Sequence, residues 1–288
     1  APYSYTWTNT AATGGTVSVS PTTSTSYTVT ARDVDNCSAT ATTSVTVTPI
    51  PTASASAQVA CSGSAFSVAP NTNIVGTTYT WTAALTSGTA SGFSNQVTAV
   101  SGPISQTLIN NTTTSAVVSY TVTPYNGVCP GASFIFNVTV RPNIVITNPG
   151  PQTICSATSF SRTPTSNISG TQYTWTAAIQ SAPSGGTITG FSNNTVASNA
   201  PISQTLTNAG TTSGTVRYTV TPVANGCNGT PFTFDITVQP TIVITNPGPQ
   251  TICSGASFSR IPTSSVASTT YTWTAAITTA PTAGTIIG

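Results

Sequence analysis

Large apolar residues alternate with threonine or serine over short runs of this chain, as in Tyr27-Thr-Val29-Thr, Val45-Thr-Val47-Thr, Phe134-Ile-Phe136-Asn-Val138-Thr-Val140 and Phe232-Thr-Phe234-Asp-Ile236-Thr-Val238. A period of two sets the large residues on one face of an extended strand and the hydroxyls on the other. These segments are therefore expected to be half-buried antiparallel strands. Threonine suits the outer face, because its branched Cβ favours the extended backbone while its hydroxyl accepts water. No stretch sustains a helical period with caps, and proline or glycine interrupts the chain roughly every 10 to 20 residues, as turns between short strands require. The expected architecture is all-β.

The pattern also repeats at long range. Aligning Asn143 to Gly190 with Thr241 to Gly288, at an offset of 98 residues, leaves 34 of 48 positions identical, including ITNPGPQTICS and YTWTAAI. Three landmarks set the frame. Tyr-Thr-Trp recurs at Tyr5 to Trp7, Tyr79 to Trp81, Tyr173 to Trp175 and Tyr271 to Trp273, and Tyr-Thr-Val recurs at Tyr27, Tyr120 and Tyr218. A turn cysteine follows at Cys37, Cys129 and Cys227, and an early cysteine, Cys61, Cys155 or Cys253, stands 20 residues before the Trp of the last three units. Short strands around a buried Trp are a sandwich signature, so Trp7, Trp81, Trp175 and Trp273 are expected in the core. Boundaries at Pro51, Pro142 and Pro240 divide the chain into a partial unit (1–50), two complete units (51–141 and 142–239) and a second partial unit (240–288). Such an array buries one core per unit and presents the same junction each time.

Composition narrows the chemistry. Five Arg and three Asp are the only charged side chains, with no Lys, Glu, His or Met, so general acid/base catalysis near neutral pH lacks its usual groups. No enzyme, metal site or cofactor is expected. Arg32, Arg141, Arg162, Arg217 and Arg260 are isolated from one another and read as surface charges; they form no stripe of the kind nucleic acid needs. No run approaches the length of a membrane span, and membrane insertion is not expected. Disorder is disfavoured as well, because a chain that is 38% hydrophobic and 3% charged has the reverse of the disordered composition. Neither a basic nor an apolar leader follows Ala1, and the sequence reads as a piece of something longer.

Six cysteines without a histidine or a CxxC pair argue for disulfides over zinc, and hence for an oxidising, extracytoplasmic setting. Two connectivities are open. Pairing within units joins Cys61 to Cys129 and Cys155 to Cys227, with the partners of Cys37 and Cys253 outside this sequence. An immunoglobulin-like strand order would instead put the early and late cysteines at opposite ends of a sandwich about 30 Å long, beyond bridging distance, and would favour a staple between units, Cys61 to Cys227.

The residues carry a family resemblance. The first unit, with APYSYTWTN from Ala1 and YTVTARDVDNC ending at Cys37, resembles the SprB-type repeat of gliding-motility adhesins in Bacteroidota. The later units, with CSG at Cys61 or Cys253, YTWTA, YTVTP and the NGC of Asn225 to Cys227, resemble the PKD-like or immunoglobulin-like repeats of large surface proteins from the same bacteria. The resemblance spans essentially the whole chain. It implies type IX secretion, long tandem arrays, and roles in adhesion, gliding or extracellular filaments. The expected fold is all-β, a tandem series of immunoglobulin-like/PKD-like β-sandwich repeats in an extended rod. The expected function is a non-catalytic segment of a secreted cell-surface adhesin or stalk, the alternatives being a filament subunit and a carbohydrate-binding array.

Remaining sites have plain readings. The repeated Trp residues are core before they are sugar platforms, because each shares a strand face with a Tyr. Tyr125 is the better candidate for an exposed contact. Asp33, Asp35 and Asn36 form an oxygen-rich turn with too few ligands for calcium, read as an Asx-type turn. The expected partners are neighbouring repeats, copies of the same chain, or a surface polysaccharide or host/substratum ligand. A coat of Thr, Ser and Asn with almost no charge offers little repulsion between copies.

Overall fold

The computed structural model describes residues 3–283, 285 and 286. Every regular element among them is a β-strand, as the period-two pattern requires. The chain divides into two compact units, Ala1–Asn143 and Ile144–Gly288.

The first unit opens with a three-stranded antiparallel sheet of Ser4–Trp7, Thr25–Arg32 and Ser38–Val45. A sandwich follows. Its larger sheet runs, in spatial order, through an opening strand (Gln58–Cys61), a closing strand (Phe134–Arg141), a Tyr strand (Ala116–Asn126), a Trp strand (Thr78–Ser87) and an edge strand (Gln96–Val100). The facing ladder pairs Ala65–Val68 with Ile104–Thr107. The alternation decides which side chains meet between the layers: in the Tyr strand Ala116, Val118, Tyr120 and Val122 are buried, and in the closing strand Phe136, Val138 and Val140 are, while Ile135, out of phase and just before them, is 64% exposed. Tyr120 stacks on Phe136 at 5.1 Å, and Phe66 from the facing layer meets Tyr120 edge-on at 5.4 Å, both favoured aromatic geometries.

The second unit builds the same sandwich from an opening strand (Gln152–Cys155), a closing strand (Phe232–Gln239), a Tyr strand (Gly214–Ala224), a Trp strand (Gln172–Ser181) and an edge strand (Asn194–Ser198). It faces a ladder of Thr158–Arg162, Ile202–Asn208 and Ile188–Thr189. Tyr218 stacks on Phe234 at 5.2 Å, with Phe160 edge-on at 5.2 Å. Burial at alternate positions from Gly214 to Ala224 is unbroken. Beyond residue 239 the chain starts the pattern again, with Ile244–Thr245 paired to Thr263–Ser264 as Ile146–Thr147 pairs Thr165–Ser166.

One pairing is not visible in the local pattern. The opening strand lies parallel to the closing strand, with Gln58 opposite Val138 and Cys61 opposite Arg141, and in the second unit Gln152 opposite Ile236 and Cys155 opposite Gln239. Every other neighbour in the larger sheets is antiparallel.

Candidate functional site

The Trp strands behave as their sequence suggests, in part. Trp81 is buried, while Trp175 is half-buried against the core of its sandwich. Trp7 is half-buried in the first sheet, its indole donating to the Gly14 carbonyl at 3.0 Å. Trp273, expected in the core with the others, is instead 85% exposed. Among the described residues no strand pairs over Trp273, and the segment that carries it forms no strand, unlike its counterparts at Trp81 and Trp175.

Around Trp81 and Trp175 a polar clamp is built twice. In the first sandwich Trp81 Nε1 donates to Ser94 O at 3.1 Å, and Gln106 Nε2 donates to the same carbonyl at 2.8 Å and to Ser94 Oγ at 3.0 Å. Gln106 Oε1 accepts from Ser94 N at 3.1 Å and from Tyr120 Oη at 2.7 Å. In the second, Trp175, Ser192, Gln204 and Tyr218 make the same bonds, with Tyr218 Oη to Gln204 Oε1 at 2.6 Å. Burial raises the pKa of the Tyr120 and Tyr218 phenols above the ordinary tyrosine value, so both stay neutral donors. Each clamp ties the facing layer, which supplies Gln, to the larger sheet, which supplies Tyr and Trp. The loop that carries Ser94 or Ser192 reaches the clamp through Gly92 (φ +87°) or Gly190 (φ +93°), where a Cβ would strike the Thr107 or Thr205 carbonyl.

A second repeated hub is a buried asparagine. Asn208 Nδ2 donates to Thr212 O at 2.9 Å and Val238 O at 2.8 Å, and its Oδ1 accepts from Gly210 N at 2.8 Å. Asn110 does the same with Thr114 O, Val140 O and Thr112 N. Neither hub nor clamp is marked by periodicity. The available signal was the identity of GFSN (Gly92 and Gly190) and PISQTL (Pro103 and Pro201) in both units.

Electrostatics depart from expectation at three arginines read as plain surface charges. Arg217 forms a two-pronged bond with Asp235, Nε to Oδ1 at 2.8 Å and Nη2 to Oδ2 at 2.9 Å, because the two residues are direct cross-strand partners. The guanidinium bond holds the Asp235 carboxyl below its ordinary pKa. Arg162 donates to the Pro151 carbonyl and Arg260 to that of Pro249, so these two brace the proline turns. In the Asp33 turn, Oδ1 accepts the backbone N–H of Asp35 at 3.0 Å and of Cys37 at 2.9 Å, an Asx-type cap that occupies this carboxylate oxygen. Tyr125 is half-buried and sits opposite Pro130 in the turn hairpin. The shallow depression beside Trp175, about 250 Å³, is lined by that one aromatic with Thr174, Thr176, Asn194, Thr195, Thr219 and Thr221.

The cysteines occupy opposite poles of each sandwich. Cys61 is level with Arg141, one residue past the Ala116–Val140 pair, whereas Cys129 pairs with Asn126 at the far end of the same Tyr strand. Eleven residues separate positions 115 and 126, about 36 Å at ~3.3 Å each. Cys155 and Cys227 stand equally far apart, level with positions 213 and 224. A bridge within one sandwich, the more economical expectation, is thus ruled out by distance, since disulfide Cα atoms lie within about 7 Å. Cys61 and Cys227 are disulfide-bonded, and Cys37, Cys129, Cys155 and Cys253 carry free thiols. Cys227 is delivered by a two-residue hairpin whose Asn225 (φ 53°) and Gly226 (φ 77°) both adopt left-handed backbone, the favoured turn for Asn-Gly.

This architecture defines a tandem series of immunoglobulin-like β-sandwiches. Residues 58–144 and 152–242 each match the model of the PKD-like domain; more than half of the chain is covered, and the chain belongs to that family. No curated protein matches it. Among solved structures it is similar to Sidekick-1 immunoglobulin domains 1–5 (12% identity, 83% of this chain and 52% of that chain, TM-score 0.32). It is also similar to the I9–I11 tandem from titin (16%, 83% and 88%, TM-score 0.29) and to chicken CNTN1 FN1–FN3 domains (10%, 83% and 88%, TM-score 0.35). The chain spans about half the length of the first of these. No helix among the described residues is long and apolar enough to cross a membrane.

Proposed function

We propose that this chain is a non-catalytic repeat segment of a large secreted cell-surface adhesin or stalk, which extends a contact surface away from the cell in the manner of SprB-type gliding adhesins of Bacteroidota. Tandem PKD-like sandwiches with a disulfide are consistent with a structural or adhesion-type extracellular segment. The observation that supports the reading is where the polar side chains go. In both sandwiches the Gln, Ser, Tyr, Trp and Asn groups that a binding or catalytic site would present are bonded to one another or to backbone, so what the chain repeats is a frame. On this reading the partners are neighbouring repeats, copies of the chain, and a surface polysaccharide or host/substratum ligand. Neither nucleic acid nor membrane insertion belongs to it. Antibody raised against the segment should label intact, unpermeabilised cells, and its Fab fragments should reduce attachment or gliding. Labelling that appears only after permeabilisation overturns the proposal.

A filament subunit is the second reading, favoured by one observation. The edge strands Gln96–Val100 and Asn194–Ser198 end their sheets and carry no charge, with Val97 87% and Val196 75% exposed. Uncharged open edges invite strand pairing between chains. If this reading holds, sedimentation will show concentration-dependent assembly that Val97→Lys with Val196→Lys abolishes. A wild-type chain that stays monomeric at high concentration excludes it.

A further inference from the structure

We propose that the outer face of the second sandwich holds a subsite for a neutral saccharide, with one sugar ring of a polysaccharide seated in the depression beside Trp175. Such a subsite rests on the adhesion reading, which names a surface polysaccharide as partner. The depression, about 250 Å³, lies where three strands run side by side. Thr174 is level with Thr221 and Thr176 with Thr219, while Asn194 and Thr195 supply the rim from the edge strand. Thr174 and Thr176 alternate with Tyr173 and Trp175, which pack against the core, so these threonines point out of the sheet. Trp175 lies in the floor, its indole committed to the core side and to Ser192 O at 3.1 Å; aromatic stacking is not what this site offers. It offers unused hydrogen-bonding groups. Thr174, Thr176, Thr195, Thr219 and Thr221 have no side-chain partner among the described residues, whereas Ser159 with Thr205 and Thr215 with Thr237 are paired across neighbouring strands of the same unit. Asn194 Oδ1 accepts from Val196 N at 3.2 Å, which leaves its Nδ2 to donate. Each threonine hydroxyl both donates and accepts and stands beside a methyl; a sugar ring meets that surface with hydroxyls on its rim and C–H groups on its faces.

Charge narrows the ligand class. No charged side chain lines the depression, and Arg217, two residues before Thr219 on the same face, is neutralised by its two-pronged bond to Asp235. Nothing there recruits an acidic sugar. The first sandwich shows which residues open the face. It keeps Thr80, Thr82 and Thr121 at the equivalent register, but Val97 stands where the second sandwich has Thr195. Thr123, the counterpart of Thr221, is bonded to Ser133 Oγ at 2.8 Å. In the second sandwich Pro231 takes the place of Ser133 and has no hydroxyl, so Thr221 is released. Two replacements thus add one hydroxyl to the face and free another.

The test is a nuclear magnetic resonance titration of the whole chain with neutral probes, namely maltoheptaose, a laminarin oligomer and a mannan oligomer, and with oligogalacturonate as the acidic comparator. At least one neutral probe should shift the methyl signals of Thr174, Thr176, Thr195, Thr219 and Thr221 saturably and leave those of Thr80, Thr82 and Thr121 in place. Thr219→Val with Thr221→Val keeps the branched side chains that suit a strand and should weaken that binding about tenfold, the scale of one or two lost hydrogen bonds. Conversely, Val97→Thr with Ser133→Pro should open a site on the first sandwich and raise the stoichiometry from one saccharide per chain to two. The proposal is overturned if no neutral probe binds, if the shifts fall elsewhere, if the double valine variant binds as wild type does, if the stoichiometry stays at one, or if oligogalacturonate binds as tightly. Surface labelling and attachment remain the measure of the adhesion reading, and a negative titration leaves their result standing.

Discussion

Replacing Asn208 with alanine tests whether the buried hubs hold the sandwich together. The side chain is 2% exposed and bonds two carbonyls and one amide. Its loss strands the Val238 carbonyl at the end of the closing strand and the Gly210 N–H in the preceding loop, both in buried bonds. Each orphaned buried group costs about 1–3 kcal/mol, whereas Thr212 O is partly exposed and can turn to water. A loss of about 3 kcal/mol follows, equivalent to about 150-fold in the folding constant of that sandwich at 1.36 kcal/mol per decade. A chain of several sandwiches does not unfold in one step, so the measurement is hydrogen exchange followed by mass spectrometry, which reads each sandwich separately. Amides from Val216 to Val220 should lose protection by about that factor, while those from Val118 to Val122, held by the intact Asn110 hub, should not change. Asn208→Asp keeps the shape but faces two carbonyls with an acceptor, and should cost at least as much. If the aspartate variant matches wild type, or the alanine variant loses less than about 1 kcal/mol, the hub is packing alone and the hydrogen-bond reasoning is wrong.

Gly190→Ala should destabilise the second sandwich by about 2–4 kcal/mol, since it combines a left-handed backbone with a collision against the Thr205 carbonyl; a thermal melt that matches wild type refutes the role given to Gly190. Acid should weaken the second sandwich through Asp235. Its folded pKa is lowered by Arg217, so the ion pair contributes above the unfolded carboxyl pKa of about 3.9 and is lost as pH falls through the lower folded value; the effect is small because solvent screens the pair. Asp235→Asn should remove that acid dependence, and the stability of the first sandwich, where Ser119 and Asn137 hold the equivalent positions at 2.7 Å, read as protection relative to the intrinsic exchange rate at each pH, should not change in the same window.

The faces of the strands were legible in advance because burial follows a period of two wherever one side of a sheet meets a core. Phe136, Val138 and Val140 went inward and Ile135 outward as the alternation in that run implies. The clamp was not legible, because Gln106 and Gln204 are polar residues on the core-facing side of their strands, in phase with the buried Ile104 and Leu108 or Ile202 and Leu206, and acquire their partners only when a loop returns over them through Gly92 or Gly190. Arg217 with Asp235 needed the cross-strand register, and register is a property of two strands at once. The cysteines show the same boundary between local and long-range information. Their spacing is plain, but the pole each occupies depends on the opening strand lying parallel to the closing strand, and no local pattern encodes that choice.

The residues that the two complete sandwiches share, such as Tyr-Thr-Trp, GFSN, PISQTL and Tyr-Thr-Val, are those whose side chains are spent in the core, the clamp and the glycine turn. Where the sandwiches differ, as at Ser119 and Arg217 or Asn137 and Asp235, the side chains lie on the outer face of the sheet and exchange a neutral hydrogen bond for an ion pair without changing the strands beneath. A recognition site copied with each repeat would keep its presenting side chains and let its frame drift. This chain does the reverse, which favours a load-bearing role for the repeats and leaves any ligand contact to outer faces that vary from one repeat to the next.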